Sequence, residues 1–246
     1  MRYAVLSDIH ANLEALTAVL ADAASEGAHD VLCLGDLVGY GADPVACVER
    51  VGERASAMVA GNHEHAALGR LDLRWFNPFA RAAAQWTAGQ LGGGHRDYLG
   101  TLSLVRTVED ATLVHASPHH PEEWDYLVSA ADGLSVFGDF STRLCFVGHS
   151  HLPGVWSVGS GGPDHVERLD TPSAQVRLEH GRRYLINVGS VGQPRDRDPR
   201  ACYAIWDREA RTVTVRRVVY DHVEAARKIL AAGLPRPLAD RLARGA

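Results

Sequence analysis

The stretch Arg2-Tyr3-Ala4-Val5-Leu6-Ser7-Asp8-Ile9-His10-Ala11-Asn12, residues 2–12, decides the fold of this chain. It opens with a short apolar run, and a helical pattern begins at Leu13, so we expect a strand, a loop and a helix. Residues i and i+2 of an extended chain point to the same side, so Asp8 and His10 can face one ion while Ile9 turns to the core. An isolated D-x-H is more often an N-capping Asp beside an exposed His, so the rest of the chain must decide.

A strand followed by a polar turn occurs again at residues 31–41. Val31-Leu32-Cys33-Leu34 has the pattern of a buried strand, and Gly35-Asp36-Leu37-Val38-Gly39-Tyr40-Gly41 turns away before a helix near Pro44. Asp36 therefore follows the carboxyl end of a strand, which is the edge where open α/β sheets bind ligands. For this segment alone, an ordinary turn aspartate remains the alternative.

The third segment, Ala57-Met58-Val59-Ala60-Gly61-Asn62-His63-Glu64, is more specific. Gly61 permits a tight exit from the strand, and Asn62 offers a neutral amide oxygen to a hard cation. His63 is placed to donate a proton to a reacting group. Few structural requirements call for G-N-H-E, so this segment favours a functional site over a simple turn.

Two further strand-like runs end in histidines. Ala111-Thr112-Leu113-Val114 leads into His115, and Arg143-Leu144-Cys145-Phe146-Val147 leads into Gly148-His149-Ser150-His151. The i and i+2 imidazoles of the second run face the same way from an extended segment, and Gly148 allows close backbone approach. Each histidine taken singly could be an ordinary surface residue.

Five strand-end segments in one chain are harder to explain as isolated turns. Their oxygen and imidazole donors, with no thiolate among them, suit divalent ions such as Mn, Fe or Zn. The segments together predict a two-metal hydrolase. The donors are Asp8, His10, Asp36, Asn62, His115, His149 and His151.

The order of these segments resembles the calcineurin-like metallophosphoesterase superfamily, whose signature reads D-x-H, G-D, G-N-H-[DE], H and G-H-x-H. The likeness covers residues 2 to about 206. Gly35-Asp36-Leu37-Val38-Gly39-Tyr40-Gly41 and Asn187-Val188-Gly189-Ser190-Val191-Gly192-Gln193-Pro194-Arg195 resemble the loops of the small prokaryotic phosphodiesterase-like branch. The resemblance implies an α/β fold, a four-layer αββα sandwich with two mixed β-sheets.

The resemblance also implies two divalent metal ions that share Asp36. Mn, Fe, Zn, Ni and Mg all suit such donors, and Mn is favoured. The first ion would be held by Asp8, His10, Asp36 and His151. The second would be held by Asp36, Asn62, His115 and His149.

In the mechanism implied by the resemblance, a metal-bridging hydroxide attacks phosphorus while both ions stabilise charge on the phosphoryl oxygens. His63 takes the catalytic position beside Asp36 and Asn62, either donating a proton to the leaving oxygen or hydrogen-bonding the phosphate. Phosphoprotein phosphatases of this superfamily follow the second motif with an orienting Asp and a phosphate-gripping Arg. Gly39 and Tyr40 stand there instead, which argues against that branch.

Arg195 is the candidate for replacing that phosphate grip, because its guanidinium can bind phosphate in two places. The alternative is a surface ion-pair cluster with Asp196 and Asp198. Tyr40 and Asn12 are further candidates for binding substrate, or they only complete turns.

Composition agrees with one domain spanning residues 1–246. The chain has 246 residues, 46% of them hydrophobic, which is enough for a substantial single core. The net charge of −5 and the lack of a basic stripe indicate no nucleic-acid-binding surface, so we expect a small phosphorylated substrate. The cysteines show no C-x-x-C spacing, which indicates a reducing compartment. The amino terminus does not resemble a secretory signal and no apolar run is long enough to span a membrane, so we expect a cytoplasmic protein. The sequence does not indicate an oligomeric state.

The remaining chain predicts alternating elements. Helices are expected at 13–25, 44–51 and 76–91, the last ended by the glycines at 92–94, with a mostly helical excursion at 121–142 and a helical tail at 221–246 packed on the domain. Trp124 and Tyr126 either form a lid over the cleft or pack on it, and packing is favoured for large aromatics. The late strands, 155–158, 165–169, 175–178, 183–188, 202–206 and 212–219, are expected to build the second sheet.

These features favour a metal-dependent phosphodiesterase acting on a small phosphodiester or nucleotide. The alternative is a phosphomonoesterase or dinucleoside polyphosphate hydrolase on the same centre. A non-catalytic scaffold is less favoured, because such proteins lose ligands and here every expected position is filled.

Overall fold

The computed structural model describes residues 1–159, 162–167 and 175–246, with only the backbone for 162–167. Within these ranges the chain forms two six-stranded sheets flanked by helices. The helices are α1 (Leu13–Ser25), α2 (Pro44–Gly52), α3 (Asn62–Ala67), α4 (Pro78–Gln90), α5 (Gly93–Gly100), α6 (Ala130–Ser135), α7 (His222–Ala231) and α8 (Arg236–Asp240). Short 3₁₀ turns occur at Leu73–Trp75, Pro121–Glu123 and Val136–Gly138.

The first sheet has three parallel strands at its centre and edge, β1 (Arg2–Leu6), β2 (Asp30–Cys33) and β3 (Ala55–Met58). Its order is β3-β2-β1-β11-β12-β9, where the last three are antiparallel neighbours. Their bounds are Ala201–Asp207 for β11, Thr212–Val218 for β12 and Gln175–Arg177 for β9.

The second sheet also contains a parallel trio, formed by β5 (Ala111–Val114), β6 (Leu144–Val147) and β10 (Arg183–Asn187). Its order is β4-β5-β6-β10-β7-β8. The outer strands, which pair antiparallel, are β4 (Val105–Val108), β7 (Gly154–Gly159) and β8 (Gly162–Glu167).

Alternation along each strand produces four layers. In β1, Tyr3 and Val5 face the second sheet, whereas Ala4 and Leu6 pack against the helices of the first sheet. A separate apolar cluster covers the outer face of the second sheet, where α6 lies, and includes Trp156. The expected αββα sandwich with two mixed sheets is confirmed.

The late strands do not all join the second sheet, so that prediction is wrong. β7, β8 and β10 do, but β9, β11 and β12 extend the first sheet, because β11 pairs with the otherwise open side of β1. The predicted strand at 165–169 lies partly in β8 and partly, at 168–169, outside the described residues. The strand patterns predict each strand but carry no information on which strand it pairs with.

The helix predicted at 76–91 ends before the glycines at 92–94 as expected, but a further helix that the sequence did not predict begins within them. α4 does end at Gln90, but α5 starts at Gly93 and runs to Gly100. Gly92 adopts an extended conformation and serves as the N-cap, which glycine tolerates well.

The C-terminal segment packs on the first sheet's helical layer. Leu234, Leu238 and Leu242 are buried in the same cluster as α1 and α2. Lys228 on α7 donates to Asp43, the N-cap of α2, at 2.9 Å. Within the described ranges, no helix is long and apolar enough to cross a membrane.

Candidate metal centre

The five predicted strand-end segments meet at one place between the two sheets. Asp8, Asp36 and Asn62 follow the parallel strands β1, β2 and β3 of the first sheet. His115 and His149 follow β5 and β6 of the second sheet, and their side chains meet those of the first. The carboxyl ends of two parallel trios therefore face each other, which brings together residues far apart in the chain.

One cluster joins the first segment to the last. His151 Nε2 lies 3.1 Å from Asp8 Oδ1 and 3.1 Å from His10 Nε2. His10 Nε2 lies 3.7 Å from Asp36 Oδ2. The three side chains of Asp8, His10 and His151 offer ligand atoms that converge closely enough to hold one metal ion.

A second cluster surrounds His115. Its Nε2 lies 3.2 Å from Asp36 Oδ2, 3.2 Å from Asn62 Oδ1 and 3.2 Å from His149 Nδ1. Asp36, His115 and His149 form a second group that could hold an ion. The same oxygen of Asp36, Oδ2, faces both clusters, which is the arrangement of a shared carboxylate.

In Asp8 and in Asp36, one carboxylate oxygen accepts a hydrogen bond from a backbone N–H, and the other oxygen faces the centre of the site. Asp8 Oδ2 accepts from the His149 N–H at 2.9 Å, and Asp36 Oδ1 accepts from the His63 N–H at 2.9 Å. Asp8 Oδ1 is buried and lacks a hydrogen-bond partner in the described part of the chain. An unsatisfied carboxylate oxygen facing two imidazoles fits a cation.

Backbone carbonyls fix the orientation of three histidines. The Nδ1 atoms of His10, His115 and His151 lie 3.1, 2.9 and 2.5 Å from the carbonyl oxygens of Val38, Leu34 and Gln193, respectively. An Nδ1–H donated to each carbonyl leaves Nε2 as the lone-pair donor to a metal. These outer contacts support the metal-site interpretation independently of the ligands themselves.

The ligand residues adopt unusual backbone conformations. Asp8, His10, Asp36, His149 and His151 all have φ between 50° and 63°, in the left-handed region. Residues other than glycine are uncommon there, and such conformations concentrate at functional sites. The close turn after each strand aims these side chains at the centre.

The charges of the site suit divalent ions. Burial alone would raise the pKa of Asp36, but the neighbouring His115 and His63 hold it below its ordinary value. Burial lowers the pKa of His149 to about 3 and that of His151 to about 4. Burial acts to lower the pKa of His115, but the neighbouring Asp36 raises it to about 9, so this ring must release a proton when a metal binds. His149 and His151 are already neutral at pH 7, as metal ligation requires. The residues present therefore fit a pair of divalent ions.

His63 lies beside this centre and is almost fully buried. Its ring contacts those of His10 and Tyr40 at centroid distances of 4.8 and 4.5 Å, and its Nδ1 has no hydrogen-bond partner among the described residues. A Cβ at Gly39 would collide with this Nδ1. The position that carries an orienting carboxylate in phosphoprotein phosphatases thus lies against His63 and is occupied by a glycine.

A third group of converging ligand atoms contains His63. It joins His10 and Asp36, so geometry alone also permits His63 to hold an ion. Burial lowers the pKa of His63 to about 3, which leaves the ring neutral at pH 7. A measurement of bound metal in a His63 variant separates these two roles.

The structure differentiates the three residues predicted to bind substrate. Arg195 Nη2 lies 3.5 Å from Tyr40 Oη, and the Tyr40 ring contacts His10 and His63, so both residues adjoin the centre. Asn12 instead caps α1, accepting from the Ala15 N–H at 3.1 Å and donating to the Gly192 carbonyl at 2.9 Å. Asn12 therefore completes the turn before α1, and its role in binding substrate stays a prediction.

The predicted alternative for Arg195, an ion pair with its neighbours, is not found. Asp196 pairs with Arg217, and Asp198 pairs with Arg200. Arg195 Nη2 instead donates to the Gln193 side-chain oxygen at 3.2 Å. In the residues that the structure describes, no carboxylate forms a salt bridge with Arg195.

Glu64 has a role that the sequence analysis did not assign. It is fully buried and accepts from the backbone N–H groups of Asp36, Leu37 and Gly61 at 2.8, 2.8 and 2.7 Å. It thereby ties the loop of Asp36 to the loop of Asn62. The acidic residue of G-N-H-E was the available signal, but its partners are backbone groups that leave no pattern in the sequence.

An aromatic cleft opens beside the centre, with a volume of about 500 Å³. We define it by Tyr40, Trp75, Phe76, Trp124 and Tyr126, which line it together with Asn62, His63 and His149. Trp124 lies edge-on to His115 and Tyr126 stacks on His149, so both pack against the site, although Tyr126 is 54% exposed. Both residues line the cleft.

Comparisons with known proteins agree with this geometry. The family model for the calcineurin-like phosphoesterase superfamily domain matches residues 1–211. An uncharacterised protein of Methanocaldococcus jannaschii is 39% identical over 244 residues, 97% of this chain and 96% of that protein.

Two solved structures share the fold across the whole chain. A metallophosphoesterase from Sphaerobacter thermophilus is 43% identical, with a TM-score of 0.86 over 100% of this chain and 99% of that one. A hypothetical protein from Pyrococcus horikoshii OT3 has a TM-score of 0.76 at 19% identity, covering 100% and 98%. The chain is a phosphoric ester hydrolase, and it belongs to the calcineurin-like phosphoesterase superfamily.

Proposed function

We propose that this hydrolase is a two-metal phosphodiesterase that acts on a small phosphodiester or nucleotide. The observation that carries the proposal is the position of Asp36 Oδ2, 3.2 Å from His115 Nε2 and 3.7 Å from His10 Nε2. A single carboxylate oxygen facing two sets of imidazoles supports a pair of ions rather than one.

We assign the first ion to Asp8, His10, Asp36 and His151, and the second to Asp36, Asn62, His115 and His149. Divalent ions held by such ligands supply a nucleophile at neutral pH and stabilise charge on the phosphoryl group. Mn is the proposed ion, because mixed oxygen and imidazole donors without thiolate suit it.

The protein's own residues complete the site. His63, neutral at pH 7, hydrogen-bonds the phosphoryl group or the leaving oxygen, and Gly39 leaves it free of an orienting carboxylate. Arg195 beside Tyr40 is the proposed anion contact, since it has no carboxylate salt bridge within the described ranges. Glycine and tyrosine in place of the Asp and Arg of phosphoprotein phosphatases favour a substrate other than a phosphoprotein.

The test is a substrate screen on protein reconstituted separately with Mn, Fe, Zn, Ni and Mg. We expect hydrolysis of bis-p-nitrophenyl phosphate and of cyclic nucleotides, with the highest turnover in Mn. Cleavage of monoesters or dinucleoside polyphosphates with no diester turnover would replace the proposal by its runner-up. Absence of bound metal after loading would favour a non-catalytic scaffold.

We also propose that residues 1–246 form one domain and that the protein works in the reducing cytoplasm. The family match ends at residue 211, but the segment beyond it shares the apolar cluster of α1 and α2. Cys33, Cys47, Cys145 and Cys202 are all buried and free, as expected of small core residues in a reducing compartment.

A further inference from the structure

The entrance to the metal centre can be located from the exposure of its ligands. Asn62 and His149 are 7% and 6% exposed, whereas Asp8, Asp36 and His115 are at most 1% exposed. The two more exposed ligands are the ones that line the aromatic cleft. A phosphate ester that reaches the centre therefore extends one of its groups into that cleft.

Four of the five aromatic rings of the cleft come from two irregular connections, and the fifth, Tyr40, comes from the connection between β2 and α2. Trp75 and Phe76 come from the connection between α3 and α4, and Trp124 and Tyr126 come from the connection between β5 and α6. Trp75 is 84% exposed, far more than an aromatic side chain with a packing role. Rings held in place at the mouth of a site are suited to stacking on a flat ligand.

Two aromatic residues of the cleft, Tyr126 and Trp124, contact proposed metal ligands. The Tyr126 ring stacks on His149 with a centroid distance of 4.2 Å and an interplanar angle of 23°. Trp124 lies edge-on to His115 at 6.0 Å. A ring stacked among these side chains would be within reach of an ester bond at the metal centre.

The polar residues of the cleft indicate which group would enter. Glu122 and Glu123 line it, and Asn77 contributes an amide. The carboxylates oppose entry of a second phosphate and accept hydrogen bonds from N–H donors. A neutral ring with amino groups, such as a purine or cytosine base, matches this lining. A volume of about 500 Å³ is within the usual range of small-molecule sites.

We propose that the aromatic cleft binds a flat aromatic ring on one ester arm of the substrate, and that a nucleobase is the ring that fits it. This inference rests on the proposed function, because it takes the phosphate to lie at the metal centre. It narrows the substrate from any small diester to one with an aromatic arm, in which the ring is stacked and the phosphate reacts.

The test is equilibrium binding of phosphonates, which ester hydrolysis cannot consume. Methylphosphonate, phenylphosphonate and an adenine-bearing alkylphosphonate are titrated into the Mn-loaded protein by calorimetry. Stacking predicts that the adenine compound binds about tenfold or more tightly than methylphosphonate. If phenylphosphonate gains as much as the adenine compound, the cleft is a general aryl site and the nucleobase assignment is wrong.

Two variants test whether the aromatic rings of the cleft cause the tighter binding of the adenine compound. Trp75→Ala changes an exposed residue that does not contact the ligands, and Trp124→Ala removes a second ring. Each should abolish most of the adenine preference, and Trp75→Ala should leave methylphosphonate affinity within about twofold. Trp124→Phe should restore part of it. Tyr98→Ala, which removes a partly exposed ring on α5, is the matched control and should leave the preference unchanged.

The outcomes separate this inference from the proposed function. Equal affinity for the three phosphonates in the unmodified protein, together with diester hydrolysis, would overturn the ring site alone. A clear adenine preference in a protein that hydrolyses no diester would uphold the ring site and overturn the phosphodiesterase.

Discussion

Glu64 shows how a residue that touches no substrate can determine the shape of this site. Three backbone N–H groups of the Asp36 and Asn62 loops donate to its carboxylate at 2.7 to 2.8 Å. Burial and the nearby Asp36 raise the pKa of Glu64 to about 7, whereas the N–H groups of Gly61 and Asp36 favour its ionised form. Hydrogen bonds to a charged acceptor are among the stronger ones in proteins. The Asp36 backbone, itself at a φ of 53°, depends on them.

We therefore predict that Glu64→Gln lowers the free energy of unfolding by roughly 2–4 kcal/mol, because the new amide N–H₂ faces N–H donors. Urea unfolding of the metal-free protein measures this loss. Glu53→Gln, at an exposed position after α2, is the matched control. Equal stability of Glu64→Gln and the parent protein would show that the loops do not need the carboxylate.

His63 gives a second prediction at this scale. Because burial keeps its ring neutral at pH 7, we expect His63 to hydrogen-bond the phosphoryl oxygens, so His63→Gln should lower kcat about 10²- to 10³-fold for both alkyl and p-nitrophenyl esters. Bound metal, measured by elemental analysis, should be unchanged. Loss of an ion would instead identify His63 as a ligand, as its position near His10 and Asp36 allows. A much larger loss on alkyl esters, whose leaving group needs a proton, would instead assign His63 to protonation of the leaving oxygen.

At the scale of elements, the carboxylate of Asp22 on α1 makes hydrogen bonds to two strands of the first sheet. Asp22 accepts from Tyr203 Oη on β11 at 2.7 Å and from Arg216 Nε and Nη2 on β12 at 3.0 and 2.9 Å. Burial acts to raise the pKa of Asp22, but the hydrogen bonds from Arg216 and Tyr203 hold it below its usual value. Both partners belong to the late strands that join the first sheet.

This contact predicts a defined dependence of stability on pH. A carboxyl with a lowered pKa stabilises the fold above its unfolded pKa, near 3.8, and loses that contribution as pH falls through the lower folded value. Asp22→Asn should cost about 1–2 kcal/mol at pH 7 after allowance for partial exposure, and close to nothing at pH 2. Urea unfolding at both pH values tests it, with Asp240→Asn as an exposed control. A cost that does not change with pH would refute the ionic contribution.

The strands and most helices could be predicted from the sequence, but their arrangement could not. α1 spans Leu13–Ser25 as expected, because its apolar spacing is local information. The pairing of β11 with β1 depends on which edge is open once the chain has folded. The start of α5 at Gly93 likewise depends on the packing of Leu99 against the core.

At the scale of the whole molecule, the ligands were predictable for a physical reason. Each lies within a few residues of a strand's carboxyl end, where the loops of a parallel sheet bind ligands. The left-handed turns that aim Asp8, Asp36 and His149 at the centre, rather than the alternation of an extended chain, were not predicted.

The aromatic cleft could not be predicted, because Trp75 and Trp124 lie in irregular connections. The sequence of such a connection has no periodic pattern from which its conformation could be inferred. No sequence pattern predicts the contact between the Gln193 carbonyl and His151 either, because every residue has a backbone carbonyl.

A global consequence of the centre is that metal should stabilise the fold. Ions that bind only the folded chain add about 2.7 kcal/mol at a hundredfold excess over Kd, or roughly 5–10 °C in Tm for a chain of this size. Thermal unfolding with Mn and with EDTA measures the difference. Asp36→Asn should lose most of it, since Asp36 faces both clusters. Asp97→Asn, exposed on α5, should retain it. A Tm that does not respond to metal would contradict the assigned ligands.

The contact between His151 Nδ1 and the Gln193 carbonyl also bears on when the site becomes functional during protein synthesis. Once residues 1–151 have been synthesised, every proposed ligand is present in the nascent chain. The peptide of Gln193, whose carbonyl orients His151, has not yet been synthesised at that point. β11, which closes the open side of β1, emerges later still. Selection of the metal is thus a property of the finished chain, and the nascent chain passes through translation with its ligands not yet organised.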